Sequence, residues 1–342
     1  MLIVRPSALG DVCRTVPVLA SLRAALPEAV IDWVVRDRYQ AAIAAHPALD
    51  EAIPFPRDRF ARWWRPSVAR ELKRWAGALR RRKYDVVLDC QGLGRSGLIT
   101  RATGAPRRIG PAVARELAWV AYTDRCPIAP DTHTVDAMLA LLAPLDIEPR
   151  RDARLYLVEA DEDWWTNERR DRGFAGVRYA VLAPTARWQS KQWPIERWRT
   201  LAAHLLGGRF DRLVLIGAPG ESDQVRPLAG DERIVDLVGG TTVGQSMAVI
   251  AGATLVVATD SAPLHIAVGF DRPCVGLYGP TDPARVGPFD RPDAAIRRVD
   301  PGGAGRYRAR RLDDAAMRRI SVDDVIERIE AVSGAVVDGV VL

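Results

Sequence analysis

The sequence predicts an α/β protein made of two parallel-sheet domains, and three observations carry this prediction. Short apolar runs alternate with stretches of helical length along most of the chain, and the runs are almost continuously hydrophobic. Strands of that kind are typical of parallel sheets covered on both faces. The length of 342 residues also exceeds what one hydrophobic core usually supports.

The first half begins with a predicted strand at 2–5 and a helix from Val12 to Leu26. Strands are predicted again at 29–35 and 85–90. Between them lies a long amphipathic helix, Ser67 to Lys83, whose apolar residues recur at helical spacing with arginines on the other face.

The second half repeats this alternation. Its predicted strands are 178–184, 212–218, 254–260 and 273–279, and its predicted helices are 195–206, 220–229, 243–251 and 263–269. The predicted domains are 1–150 and 151–320, divided in the polar stretch between Glu148 and Val177. The segment 321–342 holds a last helix, which we expect to pack back on the first domain.

The charge of the chain is concentrated in one segment. The 49 basic residues comprise 46 Arg and three Lys, and the net charge is +6. Between Arg57 and Lys83 there are eleven basic residues against two acidic ones, so the rest of the chain is slightly acidic. This favours an anionic partner for one patch and argues against a nucleic-acid-binding protein.

Cysteine and histidine spacing argues against a metal site or a disulfide framework. The four cysteines form no C-x-x-C pair, and the four histidines lack ligand-like spacing. We therefore expect a reducing, cytoplasmic setting with no metal and no cofactor. The first residues are too weakly apolar for a signal peptide, and the longest apolar run, Met247 to Ala258, is too short for a membrane span.

Parallel sheets bind ligands at the carboxyl ends of their strands, so the loops there are the candidate sites. Asp11 follows the first strand in the sequence SALGD. Its carboxylate could accept a proton from an incoming hydroxyl group. Alternatively, Asp11 caps a helix that begins at Val12, and spacing alone favours the cap.

A second loop, Pro184 to Pro194, carries Thr185 and Lys191. A hydroxyl and an ammonium group at a strand end suit a diphosphate, and a lysine in an arginine-rich chain suggests that a compact point charge is needed there. The alternative is an ordinary solvated loop with Trp193 packed beneath it.

The third candidate runs from Thr259 to His265. An apolar strand ends at Asp260, and Pro263 falls in the first turn of the next helix, whose N–H groups form an anion site. Asp260 could bind sugar hydroxyls with His265 beside it. A capping aspartate and a half-buried histidine explain the same residues equally well.

Two further features remain open. Gly92 to Gly97 matches G-x-G-x-x-G, but it follows a later strand rather than the first, so a nicotinamide cofactor is the weaker interpretation. The segment Arg57–Lys83 interleaves arginines with Phe60, Trp63, Trp64 and Trp75, which favours contact with phosphates or an anionic membrane over a merely solvated helix face.

Several of these motifs occur together in a known order. SALGDV, DCQGLGRSG, KQWP, IGAPGE, TDSAPLHIA and LYGPTDP resemble the lipopolysaccharide heptosyltransferases of glycosyltransferase family 9, and QGLGRSG and the Trp/Arg-rich segment are more similar to heptosyltransferase I than to II. The resemblance implies a GT-B fold, with two Rossmann-like domains facing a central cleft. It also implies inverting, metal-independent transfer of heptose from ADP-heptose to the Kdo–lipid A inner core.

The resemblance assigns roles to particular residues. Asp11 matches the proposed general base, which outweighs the preference for a cap, and Lys191 shares the catalytic role. The donor-binding matches are Thr185, Lys191, Glu221, Thr241, Asp260, Ser261 and His265. The acceptor-binding matches are Arg62, Arg65 and Arg115. Ala262 departs from the family's usual glycine, which reduces backbone freedom beside the donor.

The implied partners are a nucleotide-sugar donor, a phosphorylated glycolipid acceptor and the anionic cytoplasmic face of the inner membrane, where the protein would lie peripherally. The alternatives are a different nucleotide sugar or acceptor on the same fold, an NAD-dependent oxidoreductase that uses GLGRSG, and an inactive lipopolysaccharide-binding module.

Overall fold

A computed structural model describes residues 1–298 and 314–337, in which the chain divides into two compact units, Met1–Tyr156 and Leu157–Leu342. The division lies inside the polar stretch predicted to hold it, slightly beyond residue 150. Tyr156 stays with the first unit, where its ring meets His46 edge-on at 4.9 Å between centroids.

The first unit is built on a six-stranded parallel sheet in the order β3-β2-β1-β4-β5-β6. Its strands are β1 Leu2–Val4, β2 Asp32–Arg36, β3 Glu51–Phe55, β4 Val86–Asp89, β5 Arg107–Pro111 and β6 Asp124–Cys126. Its helices are α1 Leu9–Ala25, α2 Arg57–Phe60, α3 Pro66–Arg81, α4 Gly94–Ala102 and α5 Thr134–Leu139, with 3-10 helices at Asp37–Ala42, Ala118–Ala121 and Ala140–Leu145.

The second unit has its own six-stranded parallel sheet, ordered β12-β11-β10-β7-β8-β9. Its strands are β7 Tyr179–Ala183, β8 Arg212–Leu215, β9 Ile234–Asp236, β10 Leu255–Thr259, β11 Cys274–Tyr278 and β12 Ala295–Arg297. Counted from its own first strand, this sheet has the same 3-2-1-4-5-6 order as the first, which is the order of dinucleotide-binding folds.

The helices of the second unit cover this sheet. They are α6 Glu159–Asp171, α7 Ile195–Leu206, α8 Ser222–Val225, α9 Val243–Ala251, α10 Ala262–Gly269, α11 Pro283–Val286, α12 Ala315–Arg318 and α13 Val322–Val337, with 3-10 helices at Gln189–Lys191, Arg226–Leu228 and Pro292–Ala294. None of the helices in the described part of the chain is both long and apolar enough to cross a membrane.

The last helix corrects one prediction. We expected 321–342 to pack on the first domain, but Val325 and Ile329 of α13 lie in the hydrophobic core of the second unit. These side chains are one helical turn apart, so a single apolar stripe faces the sheet there. Residues 338–342 lie outside the described part.

The sequence predicts the strands that lie in apolar runs and does not predict those interrupted by charge or proline. All seven predicted strands exist, within a few residues of their predicted ends, and each of them has a neighbouring strand on both sides. β3, β5, β6, β9 and β12 are not predicted; each contains a charged residue or a proline, and all but β5 lie at the edge of a sheet. Pairing with a neighbouring strand forms them, and a single-sequence pattern does not contain that information.

The outer edge of β3 is occupied by its own surroundings. Gln40 donates a side-chain hydrogen bond to the carbonyl of Ala52 at 2.8 Å, and the indole of Trp75 donates one to the carbonyl of Pro54 at 2.9 Å. Pro54 itself has no N–H to offer. Trp75 also packs edge-on against Phe55, which ties α3 to this strand.

Gly110 in β5 leaves room for an aromatic ring. A Cβ at this position would lie 2.4 Å from the ring of Tyr122, whose hydroxyl is held by the Asp89 carboxylate at 2.7 Å. Because the ring is anchored, Gly110→Ala should lower the free energy of unfolding by about 3 kcal/mol, measured by urea denaturation. Gly77→Ala in α3, where the added carbon meets only an arginine tip at 3.5 Å, should instead stabilise by about 1 kcal/mol. Equal effects would contradict the steric explanation.

His46 is a buried histidine of the first unit that should make stability depend on pH. Its Nδ1 accepts the N–H of Ala48 at 3.1 Å, and burial lowers its pKa to about 4 despite the charge of Asp152. Because the unfolded chain binds the proton more readily, stability should fall as pH drops through the range between the unfolded pKa and 4. Thermal unfolding at pH 7 and pH 5 should differ by about 2 kcal/mol through this group. His46→Asn should remove most of that difference, whereas His204→Asn, at an exposed position, should keep it.

Candidate functional site

In each sheet the strand order reverses between two neighbouring strands, and the predicted residues lie just beyond those strands. The reversals fall between β1 and β4 and between β7 and β10. Ligands of open parallel sheets bind outside the carboxyl ends at such points. Asp11 follows β1 in the first unit, and Lys191 and Asp260 follow β7 and β10 in the second. The topology of each sheet therefore puts these residues at a ligand-binding position of their own unit.

Asp11 lies in the first turn of α1, which begins at Leu9 and not at Val12. It is therefore not the N-cap residue, although its Oδ2 accepts the N–H of Ala8 at 3.2 Å and so still satisfies the helix start. Two guanidinium groups flank the carboxylate: Arg5 lies 3.0 Å from Oδ2, and Arg14 donates to Oδ1.

These arginines control the protonation of Asp11. Burial raises its pKa, but the charges of Arg5 and Arg14, with the hydrogen bonds from Ala8 and Arg14, outweigh burial and hold the pKa well below its ordinary value. The side chain keeps 23% of its exposure, so a reacting group can reach it. Asp11 is thus an accessible carboxylate that stays ionised at neutral pH. Neither arginine is predicted as a site residue from the sequence. The available signals are that Arg5 ends an apolar strand and that Arg14 follows Asp11 by three residues.

Arg5 also connects Asp11 to the loop after β4. Its guanidinium donates to the carbonyl of Cys90, and the N–H of Ser7 donates to Oε1 of Gln91 at 3.2 Å. The buried Asp89 carboxylate accepts the N–H groups of Gln91 and Gly92 at 2.9 and 3.0 Å. Burial raises the pKa of Asp89, although these hydrogen bonds act to lower it. The two loops at the first reversal point are therefore one hydrogen-bonded unit.

The glycines of GLGRSG serve close packing. A Cβ on Gly94 would lie 2.9 Å from the carbonyl oxygen of Glu116, and one on Gly97 would lie 3.0 Å from Cα of Ala118. They let the start of α4 approach the chain that follows β5. This gives the pattern a structural reason that requires no dinucleotide.

The three predicted acceptor residues are exposed at the carboxyl end of the first sheet. Arg62 and Arg65 lie in the turn between α2 and α3, and Arg115 lies in the segment after β5, where its N–H donates to the carbonyl of Gly92 at 2.9 Å. Lys73 and Lys83 are exposed as well.

The second unit brings Lys191 and Asp260 together across 69 positions of sequence. Nζ of Lys191 lies 2.5 Å from Oδ2 of Asp260, and both side chains are largely buried. Thr185 is buried close to this pair. Its carbonyl accepts the hydroxyl of Thr259, the residue before Asp260, at 3.1 Å. The residues predicted to contact a diphosphate thus share one location.

Ser261 and His265 belong to the start of α10. Ser261 is the N-cap residue and donates its hydroxyl to the carbonyl of Thr259 at 2.9 Å, while His265 is buried one turn later. Ala262 is the first residue of α10 and has no positive φ. The loss of the family's glycine therefore causes no backbone strain here.

Glu221 and Thr241 lie in two loops that pack against each other beyond β8 and β9. Oε2 of Glu221 accepts the N–H of Ala218 at 2.9 Å, and the hydroxyl of Thr241 lies 2.7 Å from that of Ser246. The N–H of Gly239 donates to the carbonyl of Gly217 at 3.1 Å and joins the loops. A Cβ on Gly217 would lie 2.6 Å from Oγ1 of Thr185, so these loops border the lysine site.

The tryptophans of the lysine loop have separate roles. Trp193 is buried and donates its indole N–H to the carbonyl of Ile320 at 2.9 Å, so the packing interpretation holds for it. Trp188 is 42% exposed, with the guanidinium of Arg187 5.3 Å from its ring. Within the described residues no group of three or more His, Cys, Asp or Glu side chains is arranged to hold a metal ion.

Two six-stranded parallel sheets of this strand order, each with polar residues at its reversal point, are the architecture of the GT-B class of glycosyltransferases. Similarity to known proteins identifies the family within this class. The family model described as glycosyltransferase family 9 (heptosyltransferase) matches residues 72–306. The chain belongs to this family and is a glycosyltransferase. The oxidoreductase interpretation of GLGRSG is therefore wrong.

Individual relatives agree with this assignment. The chain is 31% identical over 302 residues to lipopolysaccharide heptosyltransferase 1 of Escherichia coli K12, covering 87% of this chain and 93% of that one. The structure of E. coli heptosyltransferase WaaC with ADP matches with a TM-score of 0.78 and 28% identity, over 97% and 99% of the two chains. The structure of WaaC with ADP-2-deoxy-2-fluoro heptose matches with a TM-score of 0.75 and 27% identity, over 96% and 98%.

Proposed function

We propose that this enzyme transfers heptose from ADP-heptose to the Kdo–lipid A inner core of lipopolysaccharide. The ion pair between Lys191 and Asp260 beside Thr185 is the observation that carries the proposal, because it holds a compact cation beyond the carboxyl ends of β7 and β10, where parallel sheets bind ligands such as a diphosphate. The similarity to lipopolysaccharide heptosyltransferase 1, and to WaaC with ADP and with an ADP-heptose analogue, supports the choice of donor and acceptor.

In the proposed donor site the ammonium group of Lys191 and the hydroxyl of Thr185 contact the diphosphate, and the N–H groups at the start of α10 add positive partial charge. Asp260, Ser261 and His265 would contact the sugar and the adjoining phosphate. Glu221 and Thr241, in the bordering loops, would bind the nucleotide.

Asp11 is the proposed general base. As the acceptor oxygen forms its bond to the anomeric carbon, the hydroxyl proton moves to the Asp11 carboxylate, and the bond to ADP breaks with its electron pair on the diphosphate. Attack from the opposite face inverts the configuration. Because the charges of Arg5 and Arg14 hold the pKa of Asp11 well below its ordinary value, the carboxylate is ionised and available to accept this proton.

The reaction is proposed to be metal-independent, since Lys191 can stabilise the negative charge that develops on the departing diphosphate. The acceptor is a phosphorylated glycolipid, for which Arg62, Arg65 and Arg115 supply cations. The enzyme would work as a peripheral protein on the cytoplasmic face of the inner membrane.

ADP release from ADP-heptose in the presence of Kdo–lipid A tests the proposal, with the product identified by mass spectrometry. We expect transfer that EDTA does not reduce, and no transfer from UDP-glucose or ADP-glucose. Faster transfer from another nucleotide sugar would replace the donor, and loss of activity with EDTA would disprove metal independence.

A further inference from the structure

Large apolar side chains are exposed together at the carboxyl edge of the first sheet. Trp63 and Trp64 are 64% and 65% exposed, and Leu98 and Leu117 are 72% and 69% exposed. Val113 and Val120 are also exposed. We call Trp63, Trp64, Leu98, Val113, Leu117 and Val120 the apolar rim. Several large apolar groups exposed at one edge of a sheet indicate an interaction surface.

The connections of the sheet bring the rim together. Trp63 and Trp64 follow β3 through α2, Leu98 lies on α4 after β4, and Val113–Val120 follow β5. All three segments therefore leave the sheet at the same edge. Gly97, the neighbour of Leu98, packs against Ala118, the neighbour of Leu117, and the N–H of Gly94 donates to Oε2 of Glu116 at 3.1 Å.

Positive charge surrounds this rim. Arg62, Arg65, Arg95 and Arg115 are exposed between or next to the apolar residues, and no described carboxylate forms an ion pair with any of them. Arg57 lies at the start of α2. Burial lowers the pKa of Arg57 most, and the charge of nearby Arg95 lowers it further. The arginines of α2 and α4 thus reinforce one positive field, which attracts anionic groups.

We propose that the apolar rim and its arginines form the surface with which this enzyme sits on an anionic lipid bilayer. Leu98, Leu117 and the valines enter the outer acyl region, the two indoles lie at headgroup depth, and the arginines bind lipid phosphates. The mixture of indoles, aliphatic groups and surrounding arginines favours a lipid bilayer over an acidic or neutral protein surface. Such a mixture matches the layered polarity of a membrane interface. The inference rests on the proposed function, since it places a lipid-linked acceptor beside Arg62, Arg65 and Arg115.

Vesicle flotation tests this proposal without donor or acceptor, so its outcome does not depend on whether heptose is transferred. The full-length protein should bind vesicles of phosphatidylglycerol and phosphatidylethanolamine, bind phosphatidylcholine vesicles poorly, and lose affinity as salt rises. Leu98→Ser with Leu117→Ser should lower the partition coefficient by about tenfold or more.

The matched control is Leu26→Ser with Val30→Ser, which removes two apolar groups exposed near the amino end of β2 and should leave vesicle binding unchanged. Unchanged thermal unfolding and ADP affinity verify that each variant is folded, and the single substitutions at Leu98 and Leu117 serve if the double variant is not. Wild-type binding to neither vesicle, equal binding by the rim variant, or an equal loss in the control would overturn the proposal. So would a wild-type dimer that the rim substitutions convert to monomers, because a second copy would then cover the surface.

Discussion

Asp11→Asn should lower kcat by about two to four orders of magnitude while ADP binds as tightly as to the wild type. The amide cannot accept the hydroxyl proton, but it keeps the size of the carboxylate and leaves the second unit untouched. Because Arg5 and Arg14 keep the pKa of Asp11 low, the carboxylate remains ionised from pH 5 to 8, and it should contribute no acid limb to the profile of kcat/KM over that range.

The substitution also leaves two neighbouring arginines without their shared carboxylate, so some loss of stability accompanies it. Steady-state kinetics, isothermal titration with ADP and thermal unfolding separate the two effects, and Asp85→Asn, at an exposed position of the first unit, is the control. Turnover by Asp11→Asn within about threefold of the wild type would disprove the proposed base.

Lys191→Ala should lower kcat/KM for the donor by about two to three orders of magnitude, because it removes the charge proposed to stabilise the departing diphosphate and takes away the cation that pairs with the largely buried Asp260. Lys191→Arg should be impaired as well. A planar guanidinium is larger than an ammonium group and cannot occupy the 2.5 Å contact with Asp260 in the same way.

Lys73→Arg is the matched control for this substitution, since Lys73 is exposed on α3 and should tolerate the change. Initial rates at varied donor concentration measure the difference. Equal rates for Lys191→Arg and Lys73→Arg would mean that a point charge is not required at position 191.

The sequence pattern predicts the central strands and the residues that follow them, because buried parallel strands are apolar throughout and their carboxyl ends are where ligands bind. It does not predict the partners of those residues. The contact of Arg5 with Cys90 spans 85 positions, and that of Lys191 with Asp260 spans 69. Only the order of the strands brings such positions together.

Local signals failed where tertiary packing decides the outcome. The sequence predicts that α1 begins at Val12, directly after Asp11, but the helix begins three residues earlier, at Leu9, and Asp11 contacts Arg5 from within its first turn. The last helix carries an apolar stripe that either unit could have covered. The sequence therefore predicts the apolar face of this helix but not the unit against which that face packs.

The way β3 ends its sheet bears on how this protein behaves when concentrated. A bare outermost strand offers a row of backbone groups to which another molecule can add a strand, and chains can then grow into aggregates. Here Gln40 and Trp75 already occupy the outward carbonyls of Ala52 and Pro54, and the proline ring removes one donor. Strand addition at this margin would have to break both bonds first. The indole of Trp75, which ties α3 to β3, therefore also opposes aggregation by strand addition at this edge.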